Sequence, residues 1–216
     1  MTTLRMLTLS ISFLLPAAAC FGQQKPSQIA SAFLPPRTQI VTLNRFDPTT
    51  GKLIGSLPAV LTGHFLSQTS NDIVFAYVNE AKDPQVASVF VTMLHELSDG
   101  YAKVFEMTYC GRSLWVQDFA TVGLKVFRLP GRSTDSVVIA TARGASLGFQ
   151  TEVYNWVDGF GLVNVMPTHP SAHHLSFTLE NNQFLLELSF EKYPGEKGIP
   201  RPVVYRWDGH QLTPSV

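Results

Sequence analysis

Two stretches of this chain carry residue types that could do chemistry. The first, Gly144-Ala145-Ser146-Leu147-Gly148, matches the G-x-S-x-G pattern of a serine nucleophile. In that motif a sharp turn from a strand into a helix lifts the serine hydroxyl toward a histidine. Residues 137–142 predict the strand, but residues 149–156 alternate and are rich in strand-forming types, so the helix is not predicted. We expect a loop between two strands, and a small secreted serine hydrolase using Ser146 is the alternative function.

The second stretch places three histidines within six residues, at His169, His173 and His174. Imidazole binds zinc and copper, and in the hydrolase alternative one of these histidines would serve Ser146. Neighbouring side chains of an extended segment point to opposite faces, so at most two of the three could converge. The segment has no acidic or cysteine ligand, and its two prolines favour a solvated loop. We predict no catalytic residue, no metal and no cofactor.

Aromatic side chains alternate along two predicted strands, as Tyr154 and Trp156 in one and Tyr205 and Trp207 in the other. Residues i and i+2 share a face of a strand, so each pair is either a packing ladder or an exposed platform for a sugar. Packing between sheets needs bulky side chains at such positions. We therefore expect packing to be their main use.

Residues 1–22 predict export. Arg5 precedes an apolar run over residues 6–15, and Pro16 and three alanines follow it. One positive charge, a short apolar run and small residues at its end are typical of a secretory signal peptide. No segment reaches the roughly 18 apolar residues of a membrane span. We predict a chain with no transmembrane span once the signal peptide is removed.

Cys20 is the candidate lipidation site. Ala17-Ala18-Ala19-Cys20 resembles a bacterial lipobox, whose cysteine is acylated, although the pattern usually has leucine where Ala17 stands. The alternative is cleavage after Ala19 or Gly22, which leaves a soluble chain. Both remove Cys20 as a partner for Cys110, so a disulfide framework is excluded. The predicted location is periplasmic or extracellular, anchored through Cys20 if that residue is acylated.

Composition indicates a packed domain without nucleic-acid partners. Hydrophobic residues make up 45% of the chain and charged residues 15%, which excludes disorder as the main state. The 16 basic residues balance 16 acidic ones, and no basic block is present. A neutral surface offers phosphate backbones little attraction, so nucleic-acid binding is excluded.

A hairpin with an Asp-Gly turn recurs around Asp99, Asp158 and Asp208, and a looser copy surrounds Asp47. Glycine accepts positive φ and aspartate tolerates it, so this pair suits a tight turn. About fifty residues separate successive turns, a period typical of propeller blades. Two apolar runs precede each of the last three turns, at residues 60–65 and 72–77, 124–129 and 135–140, and 175–179 and 184–188.

Each unit therefore predicts four antiparallel strands, which must stack on their neighbours to bury both faces. We predict an all-β, propeller-like fold of tandem four-stranded antiparallel units over residues 40–216, after an N-terminal lead over residues 23–39. The hairpin at residues 41–57 adds a half unit. About three and a half blades result, in an array that stays open or is completed by a partner chain.

Two segments resemble strands of FG-GAP and VCBS-type repeats, namely Asn71-Asp72-Ile73-Val74-Phe75-Ala76 and Thr134-Asp135-Ser136-Val137-Val138-Ile139-Ala140. The resemblance implies an integrin-like β-propeller, secreted or surface-exposed, that serves in adhesion or ligand binding. The calcium loops of that family carry alternating aspartates, whereas residues 66–72 and 130–135 hold one acid each, so we expect no calcium. The predicted function is an exported, non-catalytic binding or interaction module for a protein or glycan ligand, with a homo-oligomer as one way to complete the half blade.

Overall fold

The structure, a computed structural model, describes residues 24–46, 50, 52–79, 88–110, 112–114, 123–143, 149–169, 172, 174–180, 183–189 and 202–215. These residues form a short helix and many strands, which confirms the all-β class. The elements are α1 (Pro26–Ala32), β1 (Thr38–Ile40), β2 (Thr42–Phe46), β3 (Leu53–Pro58), β4 (Val60–Gly63), β5 (Asp72–Asn79), β6 (Ser88–Leu97), β7 (Gly100–Cys110), β8 (Arg112–Leu114), β9 (Leu124–Phe127), β10 (Ser136–Arg143), β11 (Phe149–Val157), β12 (Gly161–Asn164), β13 (His174–Glu180), β14 (Gln183–Ser189), β15 (Val203–Trp207) and β16 (Leu212–Ser215).

Three antiparallel sheets follow one another along the chain. The first contains β1 and β4 to β7, the second β8 to β12, and the third β13 to β16. In each sheet the chain runs back and forth between neighbouring strands, so the apolar runs predicted as strand pairs are indeed paired strands. No described sheet closes on itself.

The three Asp-Gly turns occupy the same place in their sheets. Asp99, Asp158 and Asp208 each lie between the last two strands, at β6–β7, β11–β12 and β15–β16. The glycine that follows has a positive φ in all three, a conformation that side chains disfavour. The equivalence expected from the sequence spacing is present in the topology.

The edge strand of the first sheet consists of two separate pieces. β1 pairs with the end of β5, from Thr38 opposite Asn79 to Ile40 opposite Tyr77. β4 continues along the same edge in the same direction, from Val60 opposite Phe75. β8 and β9 divide the edge beside β10 in the same manner. Each composite strand therefore keeps one register across a break in the chain.

The hairpin of β2 and β3 fills the first of these breaks. Among the described strands, β2 and β3 pair with each other and with no other, and the backbone N–H of Ala59 donates to the carbonyl oxygen of Val41 at 2.7 Å. The interpretation of residues 41–57 as a fourth copy is thus corrected, because this hairpin is an insertion within the first sheet. The first sheet therefore begins at Thr38, and completion of the array by a partner chain stays a prediction.

The core consists of three apolar layers stacked in chain order. Alternation along β5 and β10 sends successive side chains to opposite faces. Val74 and Ala76 pack toward the second sheet, while Ile73 and Phe75 pack toward α1. The second sheet uses its other face, with Val138 in one cluster with residues of the third sheet. The order is therefore helix, first sheet, second sheet, third sheet.

The helix lies inside the segment that the sequence indicated only as a lead. Pro26 occupies the first turn, where its missing N–H costs nothing, and the Gln28 side chain accepts a hydrogen bond from the Lys25 backbone N–H. Ala30 is fully buried against the first sheet. The helix covers a face that would otherwise be exposed.

Residues 1–22, with the predicted signal peptide and the candidate lipidation site Cys20, lie outside the described residues, and so do Asp47 and Ser146. No helix within the described part is both long and apolar enough to serve as a membrane span.

Candidate functional site

One end of the stacked sheets carries two kinds of connection, which together form what we call the loop end. They are the loops before β5 and β10, at residues 64–71 and 128–135, and the turns after β6 and β11, at residues 97–100 and 157–161. Antiparallel pairing brings them to the same end because alternate connections of a meander share an end. The described candidate site lies there.

Asp72 fixes the first of these loops from within. Its side chain is fully buried, and its Oδ2 accepts hydrogen bonds from the backbone N–H groups of Phe65 and Leu66 and from the Ser70 hydroxyl, each at 2.9 Å. Its Oδ1 contacts Nδ1 of His95 at 2.7 Å and accepts from the Glu96 backbone N–H at 3.3 Å. Both oxygens of the Asp72 carboxylate therefore take part in hydrogen bonds, and these bonds hold the loop at residues 64–71 in place.

Asp135 stands at the corresponding place before β10 but ties two sheets together. Its backbone N–H donates to the carbonyl oxygen of His64, and its Oδ2 accepts from the His64 backbone N–H, both at 2.8 Å. Its Oδ1 accepts from Nε of Arg128 at 2.9 Å. Asp135 and His64 therefore join the first two sheets beneath the loop end through two hydrogen bonds, one donated by each residue.

A cleft opens between the loops of the first and second sheets, and we call it the polar cleft. It has a volume of about 470 Å³ and is lined by residues 66–68, 131–134 and 156–158. Nη2 of Arg132 donates to the carbonyl oxygen of Trp156 at 2.8 Å, which holds one wall. The lining combines a guanidinium, the exposed carboxylate of Asp158, hydroxyl and amide groups and an indole ring.

A second opening adjoins the first, and we call it the His95 recess. It is lined by residues 67, 69–70 and 95–98 and has a volume of about 480 Å³. Ser67 lines both openings, so they lie on either side of one loop. The carboxylate of Glu96 accepts from the backbone N–H and the side-chain amide of Asn71, at 2.7 and 3.2 Å.

The aromatic pairs divide between packing and the cleft. Tyr154 and Tyr205 are buried in the two intersheet clusters, which confirms the packing expected for them. Nε1 of Trp207 donates to the carbonyl oxygen of Pro130 at 3.1 Å and so links the third sheet to the second. Trp156 packs against the first cluster and also lines the polar cleft.

Below the cleft, two tyrosines and a glutamate form a polar group between the first two sheets. The Tyr109 hydroxyl donates to Oε2 of Glu152 at 2.6 Å, and the hydroxyls of Tyr109 and Tyr154 lie 2.9 and 3.2 Å from Sδ of Met107. Burial, with Glu152 adding to it, raises the pKa of Tyr154 to about 12, and burial likewise raises that of Tyr109. Both tyrosines stay protonated at neutral pH and serve structure.

Of the residues of the hydrolase alternative, Ser146 and His173 lie outside the described residues. The strand before Ser146, β10, and the segment after it, β11, are antiparallel neighbours, so the residues that follow Ser146 from Phe149 onward form a strand and not the helix of the G-x-S-x-G motif. His169 is buried, and its Nε2 accepts from the Thr151 backbone N–H at 3.1 Å. His174 begins β13. Within the described part, no group of three or more His, Cys, Asp or Glu residues could hold a metal ion.

No family model, curated protein or solved structure matches this chain. The resemblance to FG-GAP and VCBS-type repeats therefore stays a prediction. His95, Arg132 and Asp158 were not singled out as site residues from the sequence. The available signals were the aspartates at the starts of β5 and β10, which mark the loops at residues 64–71 and 128–135, and the Asp-Gly turn that contains Asp158.

Proposed function

We propose that this chain is an exported, non-catalytic binding module that holds a hydroxyl-rich ligand, a neutral glycan, in the polar cleft. The three sheets would act as blades of an open, propeller-like array that presents this cleft. The observation that carries the proposal is the lining of the cleft, where a tryptophan ring lies beside donors and acceptors of both charges.

The chemistry of the lining favours sugar hydroxyls. A hydroxyl group both donates and accepts, so it can bond to the carboxylate of Asp158 and also to the amide of Gln68 or the hydroxyls of Ser133 and Thr134. The indole of Trp156 offers a flat apolar surface of the kind that suits the C–H face of a sugar ring. The charges of Arg132 and Asp158 offset each other, so the cleft has no net attraction for a phosphate or other polyanion.

The floor of the cleft is held rigidly, which supports a binding role. Asp135 joins the two sheets by opposed bonds to His64, and Arg132 ties its loop to the carbonyl oxygen of Trp156. A preformed site loses less conformational entropy when a ligand binds. The volume of about 470 Å³ lies in the range of small-ligand clefts.

Export and the non-catalytic role rest on the sequence. The signal peptide predicted over residues 1–22 favours a periplasmic or extracellular location, and acylation at Cys20 would add a membrane anchor. The strand β11, which begins at Phe149 where the G-x-S-x-G motif requires a helix, gives the serine hydrolase alternative no support.

The proposal is tested by calorimetric titration of the folded chain with soluble cello- and chito-oligosaccharides, comparing wild type with Asp158→Asn. Asparagine preserves the turn but removes the charge, so we expect affinity to fall about tenfold. Asp208→Asn is the matched control, because Asp208 occupies the equivalent turn of the third sheet, outside the cleft. Equal affinity of wild type and Asp158→Asn, or no binding of any oligomer by wild type, would contradict the proposal.

A further inference from the structure

We infer that the His95 recess is a second subsite of the same ligand, so that one extended neutral oligosaccharide crosses the loop at residues 66–70 and occupies both openings. This inference rests on the proposed function. His95 is its key contact, through Nε2 as the acceptor of a sugar hydroxyl.

The buried partner of His95 sets the state of the imidazole ring. Oδ2 of Asp72 already accepts three hydrogen bonds, and Oδ1 accepts from the Glu96 backbone N–H, so the carboxylate has no proton to give. The 2.7 Å contact between Oδ1 and Nδ1 of His95 therefore requires the proton on Nδ1. In the neutral ring, Nε2 is left as a lone pair.

That lone pair is available at the surface. The His95 side chain retains 23% of its exposure and lines the recess, while Asp72 behind it is fully buried. Among the described residues, no protein group lies within hydrogen-bond distance of Nε2. An oriented acceptor in an opening of about 480 Å³ is a feature that a ligand hydroxyl can use.

The remaining lining matches a neutral sugar. Ser67, Thr69 and Ser98 contribute hydroxyl groups, and Leu97, 46% exposed, offers apolar surface beside them. The carboxylate of Glu96 would accept hydroxyl donors and repel anionic groups. These are the same preferences as in the polar cleft.

Because the two openings are continuous, a ligand that occupies both must be long enough to reach from one to the other. Ser67 belongs to both linings, so the openings meet at the loop and are not separated by a sheet. Each has the size of a small-ligand site, so a ligand that fills both must be an oligomer.

The test measures affinity against chain length, with cello- and chito-oligosaccharides from the disaccharide to the hexasaccharide, for wild type and His95→Asn. Asparagine places its Nδ2 where the imidazole Nδ1 stands, so it keeps the bond to Asp72 while it removes Nε2. We expect wild-type affinity to rise with length, and His95→Asn to lose about fivefold to tenfold for the longer oligomers and nothing for the disaccharide. The nitrogen resonance of His95 Nε2 should shift with the hexasaccharide and not with the disaccharide.

His210→Asn is the matched control, since His210 is exposed and follows the equivalent turn of the third sheet. If wild type binds but His95→Asn binds every length as tightly, the second subsite is disproved while the proposed function stands. If wild type binds no oligomer, the proposed function fails and the inference fails with it. If Asp158→Asn weakens all lengths and His95→Asn only the longer ones, both are supported.

Discussion

Asp72, the first residue of β5, and Asp135, the residue before β10, show that an aspartate at the start of a strand can have two different structural roles. Asp72 is turned inward and closes its own loop, whereas Asp135 binds the backbone of the preceding sheet. Both carboxylates are engaged by protein donors, at the places where the resembled family carries calcium loops. At the residue scale, hydrogen bonds to an aspartate carboxylate hold the loops at residues 64–71 and 128–135 in place.

Replacing Asp72 should therefore be costly. In Asp72→Asn, one of two buried acceptor oxygens becomes an amide donor facing N–H groups that are already donors. We expect the free energy of unfolding to fall by about 2–4 kcal/mol, measured by urea denaturation. Asp99→Asn, at an exposed turn, should stay within about 0.5 kcal/mol of wild type. A similar small effect at Asp72 would contradict the structural role given to it.

The buried tyrosines predict how stability depends on alkaline pH. Burial raises the pKa of Tyr154 to about 12, above the value near 10 of an unfolded chain, so folding favours the protonated form. This contribution is complete below pH 10 and is lost as the pH rises toward 12. Denaturation followed by circular dichroism should show stability falling through that window, less steeply in Tyr154→Phe. Tyrosine absorbance that titrates fully near pH 10 in folded protein would contradict this.

At the scale of elements, the composite strands show that a sheet edge can be interrupted without losing register. The backbones of Val41 and Ala59 are hydrogen-bonded to each other and to that of Ala76. The inserted hairpin therefore leaves the edge of the first sheet and rejoins it at one point. Leu43 at its base is buried in the first core cluster, whereas Ile54 and Leu57 in β3 are more than half exposed. At the base of the hairpin Leu43 of β2 therefore belongs to the core, whereas Leu57 opposite it and the other described side chains of β3 are exposed.

Shortening the hairpin tests that division. Replacing residues 44–56 by Asn-Gly keeps the pairing of Leu43 with Leu57 and supplies a two-residue turn. We expect the melting temperature to stay within a few degrees of wild type, since residues 50, 52 and 54–56 are exposed and exposed residues contribute little to stability. A variant that also replaces Leu43 by Ala should lose about 2–3 kcal/mol. Unfolding of the first variant would show that the removed residues are needed by the core.

The strands and turns could be predicted because their signals are local. Alternation along residues 72–77 and 135–140 and the Asp-Gly pairs each arise from neighbouring residues, and the pairs lie where expected. Helix α1 could not, because seven residues give too few turns for a clear apolar period. The site depends on contacts such as Asp72 with His95 and His64 with Asp135, which join residues far apart in sequence.

At the scale of the whole molecule, the stack is covered by a helix on the outer side of the first sheet. The first sheet is covered by α1, and the second sheet is covered on both faces by its neighbours. Terminal units of a stacked array need a covering or a polar outer face. Helix α1 meets that need on the side of the first sheet.

A charged side chain between helix α1 and the first sheet should separate the helix from the sheet. Ala30→Asp puts a carboxylate against Phe75 and Tyr77, and burying an unpaired charge is strongly unfavourable, so we expect a loss of more than about 3 kcal/mol. Binding of a hydrophobic dye should rise as the sheet face is uncovered. Ala32→Asp, an identical change at an exposed position of the same helix, is the control. Equal behaviour of both variants would show that the helix does not protect the sheet.

The bond between the second sheet and the backbone of His64 carries a consequence for how the chain acquires its structure. The second sheet contacts a loop of the first sheet at His64, and Trp207 of the third sheet contacts the backbone of Pro130 before β10. Each sheet pairs strands that are close in sequence, an arrangement that favours rapid local ordering. The sheets would then form in chain order, each against the one before it. A chain that emerges from a ribosome or a translocation pore would fold in this way from its amino-terminal side.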